Sequence, residues 1–384
     1  MSGTNRDAMK LRSDAVAIWQ AGVDAVGGYN CVRNALSALK PDKPDRIIGV
    51  GKASVEMCLG ALSWFDDTVP VLAVTKKGHA ASGGQADLPE DMSVMEAGHP
   101  VPDGDSVRGG EALLEAVRAM GSDETLLLLV SGGASALAEV PRDGFSLGDI
   151  QAENRRMLAE GLDIHAINTR RKQFSQIKGG GLLDAFGGRK CLVLLMSDVV
   201  GDSISAIGSG IGLHRDDPRF ESHVIASNAV ARTASASKAG ELGWPVVMQG
   251  EELHGDVMEV AARVGSLIRS ASGGCVILGG EPTVVLPANP GRGGRNQALA
   301  LALSRELSGC KGLCVLVAGT DGTDGPTDAA GGFADGEVWF GNGGGEKALE
   351  RADAGNWLEA AGALYVTGPT GTNVMDLLVA IKLD

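Results

Sequence analysis

Apolar runs that alternate with stretches of helical patterning are the strongest constraint on the fold. These runs are short and continuous, which is typical of parallel strands buried on both faces. They lie at residues 46–51, 70–75, 125–130 and 191–198. Helical patterns are predicted at residues 6–26, 53–66, 105–120, 147–160 and 170–186. This alternation predicts a parallel sheet covered by helices on both faces.

The C-terminal part of the chain has a different pattern. A long helix is predicted at residues 251–272, and further strands flank two glycine-rich loops between residues 274 and 381. We therefore predict an α/β protein with a larger N-terminal domain, residues 1–250, and a smaller α/β C-terminal domain, residues 251–384. No Pro/Ser-rich linker marks the boundary between the two domains. Its position is therefore only approximate, and segments from one side of it can belong to the other domain.

Charge and hydropathy exclude several classes of protein. The net charge of −14 argues against nucleic acid as a partner, because nucleic-acid binding needs a basic surface. No apolar run reaches the roughly 18–20 residues that span a bilayer, and the N-terminus lacks the pattern of a secretory signal. We expect a cytoplasmic protein with no membrane partner. The six cysteines lack zinc-site spacing and are expected to be buried, reduced thiols.

Residues 49–54 (GVGKAS) follow the first predicted strand and open a helix, so Lys52 and the turn amides could face an anion. A P-loop would need glycine and Ser/Thr where Arg46 and Ala53 stand. A dinucleotide fingerprint would need glycine at Ser54 and an acid near Thr75. The alternative is a tight turn with a solvated lysine.

Residues 131–137 (SGGASAL) form a second small-residue turn between a strand and a helix. Ser131, Gly132, Gly133 and Ser135 are predicted to form a cradle for a phosphate or carboxylate, because small residues let a ligand approach the backbone. The nucleophile-elbow pattern Gly-x-Ser-x-Gly is not met. A plain tight turn is the alternative.

A basic stretch contributes further candidates for substrate binding. Four cations are predicted to line two faces of one helix at residues 170–186: Arg170, Arg171, Lys172 and Lys178. Charged helix faces are usually solvated surface, which is the alternative.

Aspartates follow two of the predicted strands. Asp198 and Asp202 lie at the carboxyl edge of the sheet, where ligands of open α/β sheets bind. Asp321 and Asp324 belong to residues 320–332 (TDGTDGPTDAAGG), which lack the twelfth-position Glu of an EF-hand because Gly332 stands there. Asp198, Asp321 and Asp324 are candidates for holding Mg²⁺ or orienting a hydroxyl, and turn formation is the alternative.

Residues 291–297 (GRGGRNQ) place Arg292 and Arg295 among glycines directly before a helix. Together with Lys52, the small-residue turns and the aspartates, they combine cations, flexible backbone and acids at predicted strand ends. That combination suits phosphoryl transfer, in which charge clamps and a metal stabilise the transferring group.

At this point the sequence resembles the class II glycerate kinases, the D-glycerate 2-kinases, whose C-terminal region is called the MOFRL domain. Some members carry the older label hydroxypyruvate reductase. The matching motifs cover nearly the whole chain, at residues 48–54, 96–103, 131–137, 167–180, 279–284, 291–297, 320–331 and 367–377.

The resemblance implies a Rossmann-like N-terminal domain, a C-terminal MOFRL domain and an active site in the cleft between them. It implies ATP and Mg²⁺ as cofactors, and transfer of the γ-phosphoryl group to the 2-hydroxyl of D-glycerate. It assigns catalysis to Lys52 and Arg295. The matching motifs also predict substrate or phosphate binding by Ser131, Gly132, Gly133, Ser135, Arg171, Lys178, Arg292, Asn296, Gly371, Thr372 and Asn373. The oligomeric state is left open, with a homodimer as one candidate.

The chain departs from the family pattern near the basic stretch. Gln173 stands where members commonly have histidine, and Gly181 stands where they commonly have arginine. Loss of a cation leaves open a kinase for another small hydroxy acid. An NAD(P)H-dependent hydroxypyruvate reductase is a second alternative, which the missing dinucleotide fingerprint disfavours.

Overall fold

The structure is a computed structural model that describes residues 3–65, 68–80, 88–159, 164–340 and 345–384. Its contacts divide the chain into two compact units. We call Val26–Ser227 with Gly371–Asn373 the parallel-sheet unit, and Met1–Ala25, Asn228–Thr370 and Val374–Asp384 the mixed-sheet unit. The division differs from the predicted 1–250 and 251–384, since residues 1–25 and 228–250 group with the C-terminal strands.

The parallel-sheet unit contains six strands and seven helices among the described residues. Its strands are β1 (Arg46–Val50), β2 (Val71–Lys76), β3 (Met92–Ala97), β4 (Thr125–Val130), β5 (Lys190–Met196) and β6 (Phe220–Ala226). After the N-terminal helix α1 (Gly3–Ala25) of the other unit, its helices are α2 (Gly28–Leu39), α3 (Ser54–Phe65), α4 (Gly104–Arg118), α5 (Ala134–Leu137), α6 (Leu147–Ala159), α7 (Ile164–Phe174) and α8 (Gly181–Asp184).

All strand pairs of this unit are parallel, and the order is β3-β2-β1-β4-β5-β6. The predicted parallel sheet is therefore confirmed. Val50 at the end of β1 is level with Val74 and with Val130. The direction of winding reverses between β1 and β4. In open α/β sheets, such a switch point at the carboxyl ends of the strands is where ligands bind.

Both faces of the parallel sheet are buried. On one face Ile48, Leu128 and Val193 are in register and pack into one core with residues of α4 and α8. Their neighbours Ile47 and Leu127 point to the opposite face and are equally buried. Burial of each such side chain contributes about 1.5–3 kcal/mol, so the sheet is a rigid base for the loops at its carboxyl edge.

The predicted helix at 170–186 is wrong as one element. Helix α7 ends at Phe174, and α8 begins only at Gly181. Between them Gly179 and Gly180 adopt left-handed φ angles of 62° and 96°, which a continuous helix cannot contain. Lys178 therefore lies in a turn rather than on the helix that carries Arg171.

The mixed-sheet unit begins with α1 and continues from Asn228. Its other helices are α9 (Asn228–Glu241), α10 (Val257–Ser270), α11 (Arg295–Glu306), α12 (Glu346–Glu350) and α13 (Ala354–Ala360). Its strands are β7 (Val246–Gly250), β8 (Gly255–Asp256), β9 (Gly274–Gly280), β10 (Pro282–Thr283), β11 (Leu313–Gly319), β12 (Gly331–Ala334), β13 (Leu364–Tyr365) and β14 (Asp376–Lys382).

Six of these strands form a sheet in the order β13-β12-β11-β14-β9-β7, in which only β7 and β9 pair in parallel. The prediction of a second α/β domain besides the parallel sheet is confirmed. Helix α1 belongs to this unit because Trp19 packs edge-on against Tyr365, at 5.4 Å between ring centroids, and directs its Nε1 to the carbonyl of Ala318. In the part of the chain that the structure describes, no helix is long and apolar enough to cross a membrane.

The six cysteines are free, and all except Cys310 are buried. Burial raises the pKa of the Cys31, Cys275 and Cys314 thiols to about 12, so they remain protonated at neutral pH. The expectation of buried, reduced thiols is confirmed for five of the six.

Candidate active site

The loops after β1 and β4 are held together by hydrogen bonds at the switch point. The Ser131 N–H donates to the Val50 carbonyl at 2.9 Å, and the Lys52 N–H donates to the Gly132 carbonyl at 2.9 Å. The Ala53 N–H donates to Ser131 Oγ at 3.1 Å. Ser131 is fully buried, so it organises the two loops and its hydroxyl is not exposed to a ligand.

Gly133 is placed between two candidate functional side chains. It has a left-handed φ of 84°, and a Cβ there would lie 3.1 Å from Lys52 Cγ and 3.2 Å from His99 Nε2. Lys52 and His99 therefore flank the same glycine from different loops. His99 belongs to the motif at residues 96–103, yet sequence reasoning did not select it as a site residue.

Asp198 joins these loops from the end of β5. A Cβ on Gly132 would collide with the Asp198 carboxylate and the Asn373 amide, so only glycine fits there. Asn373 Nδ2 donates to Asp198 Oδ2 at 3.5 Å. The structure thus brings together Gly132, Asp198 and Asn373, three residues that the sequence predicted separately.

The segment that carries Asn373 is anchored within the parallel-sheet unit. Gly371 accepts a hydrogen bond from the Gly28 N–H at 3.1 Å, and Thr372 Oγ1 donates to the Val26 carbonyl at 2.5 Å. Thr372 is buried. Gly371 and Thr372 therefore position Asn373, and the Thr372 hydroxyl is already used inside the protein.

A second polar cluster surrounds Ser135. Its Oγ lies 2.8 Å from Ser209 Oγ and accepts a hydrogen bond from Arg171 Nη1 at 3.0 Å. Arg171 Nε donates to Asn154 Oδ1 at 3.0 Å. Burial lowers the pKa of Arg171, although Glu139 opposes the shift. Ser135 and Arg171 were predicted separately as binding residues, and the structure places their side chains in hydrogen-bond contact.

Lys178 is placed differently from the other predicted cations. Its amine is buried and forms an ion pair with the equally buried carboxylate of Glu139. Burial lowers the pKa of Lys178, and the Glu139 carboxylate opposes that shift. With 1% of its side chain exposed, Lys178 has no surface to offer an anion.

In the mixed-sheet unit, Arg295 is the first residue of α11 and is held by two carboxylates. Its Nε donates to Asp376 Oδ2 at 2.7 Å, and its Nη2 donates to Asp376 Oδ1 at 3.2 Å. Its Nη1 pairs with Glu281. Burial opposes the charge, but Asp376 and Glu281 outweigh it and raise the pKa of Arg295 above its ordinary value. Arg295 is a permanent cation with 36% of its side chain exposed.

The amino end of α11 is occupied by Asp324. This buried carboxylate accepts hydrogen bonds from the Asn296 N–H at 3.1 Å, the Gln297 N–H at 2.8 Å and Gln297 Nε2 at 3.0 Å. These amides are therefore not available to a phosphate, and any anion binding by residues 291–297 depends on side chains. Burial raises the pKa of Asp324 to about 6. The Asn296 side chain is buried and has no hydrogen-bond partner among the described residues.

The two arginines of the glycine-rich loop have different environments. Arg292 Nη1 pairs with Glu359 on α13, and its N–H donates to Asp353 Oδ1 at 2.9 Å. The loop is glycine-rich because it packs tightly: a Cβ on Gly293 would lie 3.2 Å from the Gly355 nitrogen. Arg292 thus ties the loop to α13, which leaves Arg295 as the loop's candidate for contact with an anion.

The candidate metal ligands do not form a protein cage. Among the described residues, no group of three or more His, Cys, Asp or Glu could hold a metal. Asp321 accepts hydrogen bonds from the Thr323 N–H and Oγ1, both at 3.0 Å, within its own turn. Mg²⁺ that accompanies a nucleotide is usually held by one or two carboxylates and phosphate oxygens, which a single residue such as Asp198 can satisfy.

Comparison with known proteins identifies the family. Residues 14–239 match the family described as a domain of unknown function (DUF4147), and residues 274–376 match the MOFRL family. A D-glycerate 2-kinase from Thermotoga maritima is 33% identical, covering 98% of this chain and 99% of its own. A putative hydroxypyruvate reductase from Agrobacterium vitis is 34% identical, covering 86% of this chain and 97% of its own. The crystal structure of a glycerate kinase from Thermotoga maritima is 32% identical, with a TM-score of 0.86 over 98% of this chain and 100% of that one.

The chain belongs to the class II glycerate kinase family. The resemblance expected from the sequence motifs is thereby confirmed. The boundaries of the family matches differ from those of the compact units. The DUF4147 match begins inside α1, at residue 14, and ends inside α9, at residue 239. Both helices pack in the mixed-sheet unit.

Sequence reasoning also missed Asp376 and Glu281, the partners of Arg295 in this member of the glycerate kinase family. Glu281 lies inside the family motif at residues 279–284, so the motif was an available signal. Asp376 also lies in a matching motif, but the five residues that follow it in the strand, 377–381, are apolar. Asp376 and Arg295 are 81 positions apart, so the residues next to either of them give no indication that the two pair.

Proposed function

We propose that this chain is a D-glycerate 2-kinase, which transfers the γ-phosphoryl group of ATP to the 2-hydroxyl of D-glycerate and releases 2-phosphoglycerate and ADP. The observation that carries the proposal is the full-length similarity to a D-glycerate 2-kinase, together with retention of Lys52 and Arg295. Phosphoryl transfer needs cations that neutralise the transferring group, and both residues supply them.

We assign ATP binding to the loops at the switch point of the parallel sheet. There Gly132 lets the Asp198 and Asn373 side chains approach the backbone. Gly133 does the same for Lys52, which adds a positive charge. His99 flanks Gly133 and is a further candidate for contact with the phosphates or the reacting hydroxyl. Ser131 and Thr372 shape these loops through hydrogen bonds and are assigned a positioning role.

Mg²⁺ fits this proposal through Asp198 rather than through the other two aspartates. Asp198 lies against Gly132 with Asn373 as its neighbour, so its carboxylate and an amide stand beside the proposed phosphate site. Asp324 does not fit, because its oxygens are committed to the amino end of α11. Bound Mg²⁺ would offset the charge of the phosphate oxygens.

Arg295 is proposed to hold an anionic group, either the glycerate carboxylate or the transferring phosphoryl group. Lys52 and Arg295 belong to different compact units, so their action on one substrate stays a prediction. The cytoplasmic location and the homodimer are also predictions.

A kinase for a different small hydroxy acid is the second candidate, and Gly181 favours it. A Cβ on Gly181 would collide with the Gln176 carbonyl, so the local backbone does not admit the arginine common in the family. Gln173 is exposed and carries no charge. The substrate-binding cations of this chain therefore differ from the family pattern at these positions.

A coupled assay of ADP release across a panel of hydroxy acids tests both candidates. We expect the highest kcat/KM with D-glycerate, and a product whose phosphorus couples to the C2 proton in an NMR spectrum. Formation of 3-phosphoglycerate alone, or no phosphorylated product, would refute the proposal. A clear preference for another hydroxy acid would select the second candidate. A hydroxypyruvate reductase would consume NADH or NADPH in the presence of hydroxypyruvate. We expect no such consumption, that is, a constant absorbance at 340 nm.

A further inference from the structure

Glu281 shares the guanidinium of Arg295 with Asp376, and the two carboxylates use different parts of it. Asp376 takes the edge formed by Nε and Nη2, at 2.7 and 3.2 Å. Glu281 pairs with Nη1. A guanidinium binds a carboxylate or phosphoryl group best through two parallel N–H···O bonds. Since Asp376 occupies one edge, the Nη1–Nη2 edge is the one left for a ligand, and Glu281 sits on half of it.

The two carboxylates differ in how firmly they are held. Asp376 begins β14 and has 1% of its side chain exposed, so it is a fixed partner. Glu281 has 44% of its side chain exposed. Its backbone is tied down, because its N–H donates to His254 Nδ1 at 3.3 Å. Ion pairs between half-exposed long side chains are weak and exchange readily. The Glu281 side chain can therefore leave Arg295 without disturbing the backbone that carries it.

We infer that Glu281 is a displaceable carboxylate that competes with an anionic ligand for the Nη1–Nη2 edge of Arg295. The ligand class is an oxyanion, either a carboxylate or a phosphoryl group. The inference rests on the proposed function, in which Arg295 holds an anionic group, and it adds a residue that sets the affinity of that contact. Glu281 acts by competition and is not assigned any contact with the reacting atoms.

The size of the effect follows from the competition. The apparent dissociation constant equals the intrinsic one divided by the fraction of molecules in which Arg295 is open. A weak, half-exposed pair is closed only a few times more often than it is open. Removing the Glu281 charge should therefore tighten anion binding by about two- to sixfold. The ligand would gain affinity without any new contact.

Calorimetric titration of Glu281→Gln with inorganic phosphate and, separately, with D-glycerate tests the inference. Glu359→Gln is the matched control, because Glu359 makes the same kind of exposed pair with Arg292 in the same loop. We expect at least one of the two anions to bind about two- to sixfold more tightly to Glu281→Gln and unchanged to Glu359→Gln. The anion that responds is the one that sits on Arg295. In an Arg295→Lys background, the Glu281→Gln gain should shrink, because the two-pronged edge is gone.

Three results would overturn the inference: unchanged or weaker binding of both anions to Glu281→Gln, an equal gain in Glu359→Gln, or no binding of either anion to any variant. None of these readouts requires turnover. A chain that shows the Glu281-dependent gain but phosphorylates no hydroxy acid would refute the proposed function and leave the competition at Arg295 standing.

Discussion

Arg295 and Asp376 form a two-bond ion pair in which the carboxylate is buried and the arginine reaches solvent. Asp376 has 1% of its side chain exposed, whereas Arg295 has 36%. The pair joins the first residue of α11 to the first residue of β14. Replacement of Arg295 therefore has two effects: it removes a cation from the surface, and it leaves a carboxylate unpaired in the interior.

The first prediction separates these effects with two substitutions. Arg295→Ala should lower the free energy of unfolding by about 1–3 kcal/mol, less than a fully buried pair because Arg295 is partly exposed. Arg295→Lys keeps a charge for Asp376, so its stability loss should be smaller. Its kcat/KM should still fall about 10- to 100-fold, since a lysine cannot reproduce the planar fork.

Urea unfolding and steady-state kinetics on the same preparations measure both quantities. If Arg295→Lys keeps a near-normal kcat/KM, the planar guanidinium of Arg295 is not needed for catalysis. If both variants lose activity only in proportion to their lost stability, Arg295 is a structural residue.

The second prediction concerns Lys52. Lys52→Ala should lower kcat about 100- to 1000-fold, because a positioned charge at the phosphoryl group is lost. The link between the two loops should persist, since the Lys52 backbone N–H that bonds to Gly132 is kept in Lys52→Ala. Circular dichroism and kcat for ATP-dependent phosphorylation provide the measurement.

Lys190→Ala is the matched control for Lys52→Ala. Lys190 is an exposed lysine at the amino end of β5, and its partner is Glu221. Its removal should leave kcat within about twofold of the wild type, because surface pairs of this kind contribute little. A comparable loss of activity in both variants would mean that Lys52 has no special role.

The third prediction concerns the buried pair of Lys178 and Glu139. Lys178→Met leaves the Glu139 carboxylate unpaired and should cost about 3–5 kcal/mol of stability. The double variant Lys178→Met/Glu139→Leu should recover most of it, since apolar side chains of similar size can replace a buried pair. Urea unfolding of the two single variants and the double variant measures the recovery.

The same double variant decides whether Lys178 binds substrate. Because Lys178 is buried against Glu139, we expect the folded double variant to keep the wild-type KM for ATP and for the hydroxy acid. A KM raised tenfold or more in a protein of normal stability would assign Lys178 to the binding site and contradict the structural role.

The parallel sheet could be predicted because its signal is local. Each strand is a continuous apolar run, and each run ends in small or charged residues that mark the carboxyl edge. Lys52 and Asp198 were placed at that edge for the same reason, and their roles there stay predictions. The break between α7 and α8 was missed because apolar residues such as Leu182 and Leu183 continue the helical pattern beyond it. In the structure α7 already ends at Phe174, and the left-handed glycines at 179 and 180 separate it from α8.

Contacts distant in sequence account for the rest. The assignment of α1 to the mixed-sheet unit depends on Trp19 meeting Ala318 and Tyr365, some 300 or more positions away. Asp324 was predicted as a metal ligand because glycine–aspartate loops occur both as metal-binding loops and as plain structural turns. Only the fold shows that its oxygens meet the amides of Asn296 and Gln297.

The fourth prediction follows from the buried carboxylate of Asp324. Burial raises its pKa from 3.8 to about 6 in the folded protein, whereas in the unfolded chain it stays near its ordinary value. Between about pH 4 and 6 the folded state therefore holds a proton that the unfolded state has lost. The stability that this group contributes is fully present below about pH 4 and is lost as the pH rises through 6.

Asp324→Asn removes this titration, so the comparison must be made across pH. The difference in unfolding free energy between wild type and Asp324→Asn should move against the wild type by about 2–3 kcal/mol from pH 4 to pH 7. Urea unfolding at half-unit pH steps measures it. The loss of carboxylate acceptors for the α11 amides shifts the variant by a constant and cancels in the slope. A difference that is flat with pH would show that the amide hydrogen bonds fully offset the burial of Asp324, and that its pKa in the folded protein is ordinary.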